Sequence, residues 1–147
     1  MEGVFTIEPI QLSVSAELSN LAGIRNFVRS ALIPYCRDED FLYELVLAIE
    51  EAVTNIIFHG YEEKKGIITI LIQPNEGFVE IVLQDDASPF DPTSVPAPLL
   101  DIPLDQRPLG GLGIHIIRKY SEKMNYQQTP SGKNELKLVK LFPSRSE

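Results

Sequence analysis

Six of the chain's eleven prolines fall between Pro89 and Pro108, and this crowding constrains the fold more than any other feature. Proline has no backbone N–H to donate and clashes with the preceding helical turn. Neither a helix nor a central strand can therefore run through residues 87–109, and no helical or strand period is visible there. A loop of this length in a compact chain is either a functional lid or a floppy insertion, and the segment alone leaves both open. Regular structure has to lie on either side and pack around it.

The flanking segments supply that structure. Residues 4–14 alternate well enough for a strand, with Pro9 suggesting an edge or a bulge. Leu18, Leu21, Ile24, Phe27, Val28 and Ala31 recur at three and four residues, the spacing of an amphipathic helix, and Pro34 ends it. A second helix is expected from about Asp38 to His59, with Leu42, Leu45, Val46, Ile49, Val53 and Ile56 as its apolar stripe and Gly60 as its stop. Residues 67–73 and 78–83 read as strands joined by Pro74-Asn-Glu-Gly77, a hairpin signal. Beyond the proline-rich segment, residues 111–124 are expected to be helical, and residues 125–129 and 135–142 to form a second hairpin around Pro130-Ser-Gly132. There are no internal repeats. The order implies an α+β fold with helices layered on one face of a largely antiparallel sheet.

At 147 residues the chain is expected to be one domain spanning residues 1–147, long enough to bury about two-thirds of its unfolded surface. A formal net charge of -8 argues against nucleic acid or an anionic membrane as partner, since both need basic patches. It does not exclude ATP, whose phosphates a few backbone N–H groups and a metal can hold. The single cysteine, Cys36, excludes an internal disulfide and a multi-thiolate metal site. No basic region followed by an apolar run opens the chain, and no stretch approaches the ~18 apolar residues of a membrane span. A cytoplasmic protein is the expectation.

Three short blocks carry chemistry. In the first, Glu51-Ala-Val-Thr-Asn55, Glu51 and Asn55 project from the same helix face one turn apart. A carboxylate there suits a general base, and an amide oxygen one turn on suits Mg²⁺. Taken alone, the pair also reads as an ordinary solvated Glu/Asn pair. His59 continues the row, but His115 is the one other histidine, so zinc is not expected and His59 reads as a capping or site-lining residue. The second block, Asp85-Asp-Ala-Ser-Pro-Phe-Asp-Pro92, places Asp85 at the end of a buried strand. There it either accepts a hydrogen bond from an exocyclic amino group such as adenine's or caps a turn. The third, Gly110-Gly-Leu-Gly113, opens a helix whose unpaired N–H groups and dipole favour an anion. It lacks the third glycine of the dinucleotide fingerprint and the Lys-Ser/Thr of a P-loop, so a hinge with a helix cap is its alternative. Arg107, just before it, either reaches a phosphate when the lid closes or, as the residue alone favours, is a solvated arginine.

Together, Glu-Ala-Val-Thr-Asn-x-x-x-His-Gly-Tyr, Asp-Asp-Ala-Ser-Pro-Phe-Asp-Pro and Gly-Gly-Leu-Gly-Ile-x-x-Ile resemble the nucleotide boxes of the bacterial anti-sigma factor serine/threonine kinases. These are relatives of the ATPase domains of histidine kinases and gyrase B. The resemblance covers nearly the whole chain. It implies a two-layer α/β sandwich of the histidine kinase-like ATPase type, with a mixed, mostly antiparallel sheet and an ATP lid at about 87–109. It implies Glu51 as general base, Asn55 as magnesium ligand, Asp85 on the adenine amino group, and Ala87, Gly111, Leu112 and Gly113 along the nucleotide. The implied cofactors are ATP and Mg²⁺. The implied partners are a sigma factor and an anti-sigma factor antagonist phosphorylated on serine, with a possible homodimer.

One departure is visible. The usual Asp-x-Gly-x-Pro-Phe has Ala87 where glycine stands. If the turn needs a positive φ there, alanine costs roughly 1 kcal/mol and its methyl crowds the base; if the backbone is extended, alanine is harmless. A non-catalytic nucleotide-binding adaptor of the same fold is therefore the alternative to a kinase.

Overall fold

The computed structural model describes residues 8–94 and 111–144. Its elements are β1 (Ile10–Ser15), α1 (Leu21–Leu32), α2 (Glu39–Asn55), β2 (Ile67–Pro74), β3 (Phe78–Asp85), α3 (Gly111–Lys119), β4 (Lys123–Gln128) and β5 (Asn134–Leu141), with 3₁₀ turns at Leu18–Asn20 and Pro92–Ser94. The strands form one sheet in the order β1-β2-β3-β5-β4. Every pairing in it is antiparallel, so the described sheet has no parallel member to make it mixed. Two hairpins, β2–β3 and β4–β5, supply four strands, and β5 returns to run against β3.

Alternation along the strands decides which face is buried. Ile68, Ile70 and Ile72 of β2, Val79, Ile81 and Leu83 of β3, and Leu136 and Leu138 of β5 point to the same side. They meet Ile24, Val28 and Leu32 of α1 and Leu42, Leu45, Ile49 and Val53 of α2 in one continuous core. Each such side chain contributes about 1.5–3 kcal/mol by leaving water. The helices thus cover one face of the sheet, giving the α+β two-layer arrangement.

α2 starts where its sequence says it should. The Asp38 carboxylate accepts from the Phe41 N–H at 2.9 Å, and Glu39 and Asp40 follow in the first turn, where acidic side chains suit the helix dipole. Its other end differs from expectation. The α-helix stops at Asn55 and passes into a π-helical turn at Ile56–Gly60. Gly60 does not supply a left-handed stop; the left-handed residues come later, at Glu62 (φ 53) and Glu63 (φ 64).

α3 is shorter than its periodicity suggested, ending at Lys119 instead of running to Met124. Two side chains satisfy its terminal carbonyls: the Ser121 hydroxyl donates to the Ile117 carbonyl at 2.6 Å, and the Lys140 ammonium donates to the Tyr120 carbonyl at 3.2 Å. Residues 123–128 then form β4 on the edge of the sheet, with Met124 and Tyr126 turned towards the core. Lys140 is itself buried, reaches Glu44 of α2 at 3.0 Å, and so ties α2, α3 and β5 together. The first strand begins at Ile10, and the expected residues 4–7 lie outside the described residues, as does most of the expected lid. No described helix is long and apolar enough to cross a membrane.

Candidate functional site

The C-terminal half of α2 presents the first block. Glu51 is half-buried, and burial, reinforced by the neighbouring Glu50 charge, pushes its carboxyl above the usual glutamate range. Asn55 lies one turn on and is 8% exposed; its amide nitrogen has no hydrogen-bond partner among the described residues. Buried amides left without a partner cost about 1–3 kcal/mol, so this one is a candidate for meeting a bound group. His59, in the π-helical turn, stacks on Phe90 with ring centroids 4.9 Å apart.

Asp85 ends β3 on the core-facing side, 7% exposed. One carboxylate oxygen, Oδ1, accepts from the Ala87 N–H at 2.9 Å and from the Asn134 amide at 2.8 Å. Burial raises its pKa; the bonds from Asn134 and Ala87 oppose that rise, Asp86 adds to it, and Lys133 opposes it. Asn134 was not visible as a site residue in the sequence. It opens β5 at 3% exposure, opposite Asp85 on β3 and Gln128 on β4. The one available signal was a polar residue in phase with Leu136 and Leu138 on the buried face. Placing the start of the strand at Glu135 passes over it.

Tyr61, which closes the first box, is a second residue to which the sequence assigned no role. Its ring packs against Gly66, where a β-carbon would come within 2.2 Å of it. Its hydroxyl donates to the Ile67 carbonyl at 2.7 Å and accepts from the Asp86 N–H at 2.9 Å. It is a strut between the exit of α2 and the turn that carries Asp85. Arg118 is a third: from α3 it donates to the Thr93 carbonyl at 2.8 Å, holding the Pro92–Ser94 turn beside the site.

Ala87 does not need glycine's freedom, because its φ is not positive. The room it needs comes from elsewhere. A β-carbon on Gly60 would lie 2.9 Å from the Ala87 methyl, closer than such atoms approach. Gly60 is thus conformationally ordinary and sterically required.

Gly111 and Leu112 form the first turn of α3, and Gly113 follows. A β-carbon on Gly113 would stand 2.7 Å from Glu51 Oε2, so the third block rests directly on the first. Arg107 lies outside the described residues. A cavity of about 30 Å³, lined among others by Ala52, Asn55, Ile56, Asp85, Asn134 and Phe90, joins the first and second blocks. Glu51 meets Gly113, and Asp85 meets Asn134 at the cavity wall. As it stands the cavity has room for water.

Comparison with known proteins agrees with this geometry. The family described as "Histidine kinase-like ATPase domain" matches residues 14–140. The chain is 30% identical over 114 residues to a protein named "Serine-protein kinase RsbW" from Bacillus cereus (strain G9842), covering 75% of this chain and 71% of that one. It is 28% identical over 136 residues to one named "Anti-sigma F factor" from Thermoanaerobacter sp. (strain X514), covering 87% of this chain and 94% of that one. Its fold is similar to a crystal structure of the RsbU and RsbW domains of a Mycobacterium tuberculosis protein, with a TM-score of 0.62 at 17% identity, covering 95% of this chain and 34% of that one. By these matches the chain belongs to the histidine kinase-like ATPase family, among its anti-sigma factor serine-protein kinases.

Proposed function

We propose that this protein is an ATP-dependent protein-serine kinase that acts as an anti-sigma factor, binding a sigma factor and phosphorylating a serine on an antagonist protein. The observation that carries the reading is the contact of Glu51 with Gly113. It sets a half-buried carboxylate of raised pKa against the first turn of a helix that can receive phosphate. The relatives named serine-protein kinase and anti-sigma F factor support it.

In this reading Glu51 takes the proton from the attacking serine hydroxyl, which its raised pKa favours. Asp85 offers its uncommitted oxygen to the adenine amino group. Gly111, Leu112 and Gly113 present backbone N–H groups to phosphate, Ala87 lines the nucleotide, and Arg107 pairs with a phosphate. Asn55 is the magnesium ligand: it lines the cavity with its amide nitrogen unpartnered, and its amide oxygen is of the kind a hard cation takes. Magnesium, when bound, neutralises charge on the phosphates being transferred. The whole of residues 1–147 is then one ATP-binding domain with its lid at about 87–109, working in the cytoplasm, with a homodimer as its assembly.

The adaptor alternative rested on Ala87, and the absence of a positive φ there removes the backbone-strain part of that support. Incubation with labelled ATP, magnesium and the cognate antagonist tests the kinase reading. Label on an antagonist serine, lost in Glu51→Ala, is expected. Absence of transfer with a partner that binds would defeat it.

A further inference from the structure

Asn134 is better placed than a core residue needs to be. Both hydrogens of its amide are committed, one to Asp85 Oδ1 and one to the Ala87 carbonyl at 2.8 Å. Its oxygen accepts from the Tyr126 hydroxyl at 2.9 Å and from the Gln128 amide at 3.4 Å. Two acceptors on one side and two donors on the other leave a single orientation for the amide. Asp85 Oδ1 is thereby saturated, and Oδ2 takes no hydrogen bond from any described residue.

We infer that Asn134, held by Tyr126, is the residue that sets the base preference of the nucleotide site, by keeping Asp85 an acceptor that only a base with an amino group at its 6-position can satisfy. The inference rests on the nucleotide reading above and adds a residue to it. A carboxylate in so buried a place tends to take up a proton. A protonated Asp85 would instead donate, and so accommodate a 6-oxo base. The Asn134 amide opposes that exchange because its hydrogen bond to Oδ1 is stronger when the carboxylate is ionised. The other charged or titratable groups acting on Asp85 are Asp86, which favours the proton, and Lys133, which opposes it. Asp85 in turn acts on Tyr61 and Tyr126. None of these bonds the Asp85 carboxylate directly, so Asn134 is the side chain that decides.

ATP and ITP differ at the 6-position in the required way, an amino group against an oxo group. Calorimetric titration of each, with magnesium, into the full chain and into Asn134→Leu and Tyr126→Phe is the test. The wild type is expected to prefer ATP by roughly a hundredfold or more. Asn134→Leu is expected to lose about tenfold in ATP affinity while keeping or gaining ITP affinity, with the preference falling further as pH is lowered. A merely structural loss would weaken both nucleotides alike and leave their ratio unmoved. Tyr126→Phe, which keeps the ring, should shift the ratio the same way by a smaller factor, and it decides the matter if Asn134→Leu does not fold. A wild-type ratio in the folded variants would overturn this inference while leaving the nucleotide reading intact. A wild type that binds neither nucleotide would overturn both.

Discussion

Gly113 and Glu51 touch: no β-carbon fits at Gly113 without coming within 2.7 Å of the Glu51 carboxylate oxygen. The atom it would strike is the free end of a flexible side chain, so Gly113→Ala should fold. Alanine within the first turns of α3 gains up to about 1 kcal/mol of helix propensity, which offsets the crowding. Melting should therefore stay within roughly 1 kcal/mol of wild type. The carboxylate, however, is pushed aside, and a displacement of about 1 Å at a reacting group costs on the order of a hundredfold. Phosphotransfer to the antagonist should fall at least tenfold while stability holds. Full activity in Gly113→Ala would mean that Glu51 does not act from this position.

The pH profile offers a separate check on Glu51. Burial first, and Glu50 second, hold its carboxyl above the ordinary glutamate range. A base works when ionised, so the acid limb of the rate profile should sit at higher pH than a solvated glutamate would give. Glu50, which is bonded to Arg25 at 2.8 Å, contributes part of that shift. Glu50→Gln should move the limb to lower pH without lowering the plateau by more than a few-fold. Glu51→Gln should lose about a hundredfold or more. An acid limb unmoved in Glu50→Gln would argue that another group titrates there.

Gly60 and Ala87 form a steric pair. Gly60→Ala forces two methyl groups into one space with backbone behind both, which should cost about 1–3 kcal/mol, the range for overpacking a tight site. Ala87→Gly should relieve it. The double variant is expected to recover most of the loss in a urea titration. Additive losses in the double-mutant cycle would show that the two positions are independent.

Asp85 links pH to stability and to binding in opposite directions. Its folded-state pKa is raised, mainly by burial, so between its ordinary value and that raised value the folded chain binds more protons than the unfolded one. Stability without nucleotide should therefore rise as pH falls through this window. Nucleotide affinity should fall over the same window, because the ionised acceptor is lost. Denaturant midpoints of wild type and Asp85→Asn, compared across pH, isolate the carboxylate. A wild-type curve parallel to that of Asp85→Asn would contradict the assignment.

Tyr61→Phe keeps the ring against Gly66 and removes one oxygen. It leaves the Asp86 N–H and the Ile67 carbonyl without their shared partner, which should cost about 1–3 kcal/mol. Because Asp86 adjoins Asp85, ATP affinity should fall as well. A stability loss with unchanged affinity would confine Tyr61 to holding the fold.

The elements whose physics is local were legible in the sequence. The apolar stripe of α2 and its start near Asp38, the two hairpin turns with Gly77 and Gly132 at positive φ, and the order of strands and helices all follow from periods and turn residues a few positions apart. So did Glu51 and Asn55, because a helix spaces residues four apart onto one face. α3 was overextended to Met124, because whether residues 120–124 coil or pair depends on β5 offering an edge and on Lys140 arriving to cap the helix. The meaning of Ala87 depended on Gly60, twenty-seven positions away and adjacent only after β3 is laid beside the π-helical turn. Asn134 was invisible for the same reason. Its chemistry comes from Asp85 across one strand pairing and Tyr126 across another. Periodicity and spacing determined which residues would be offered to the site; register and close packing decided which of them meet, because hydrogen bonds and steric contacts act over a few ångströms of space whatever the distance along the chain.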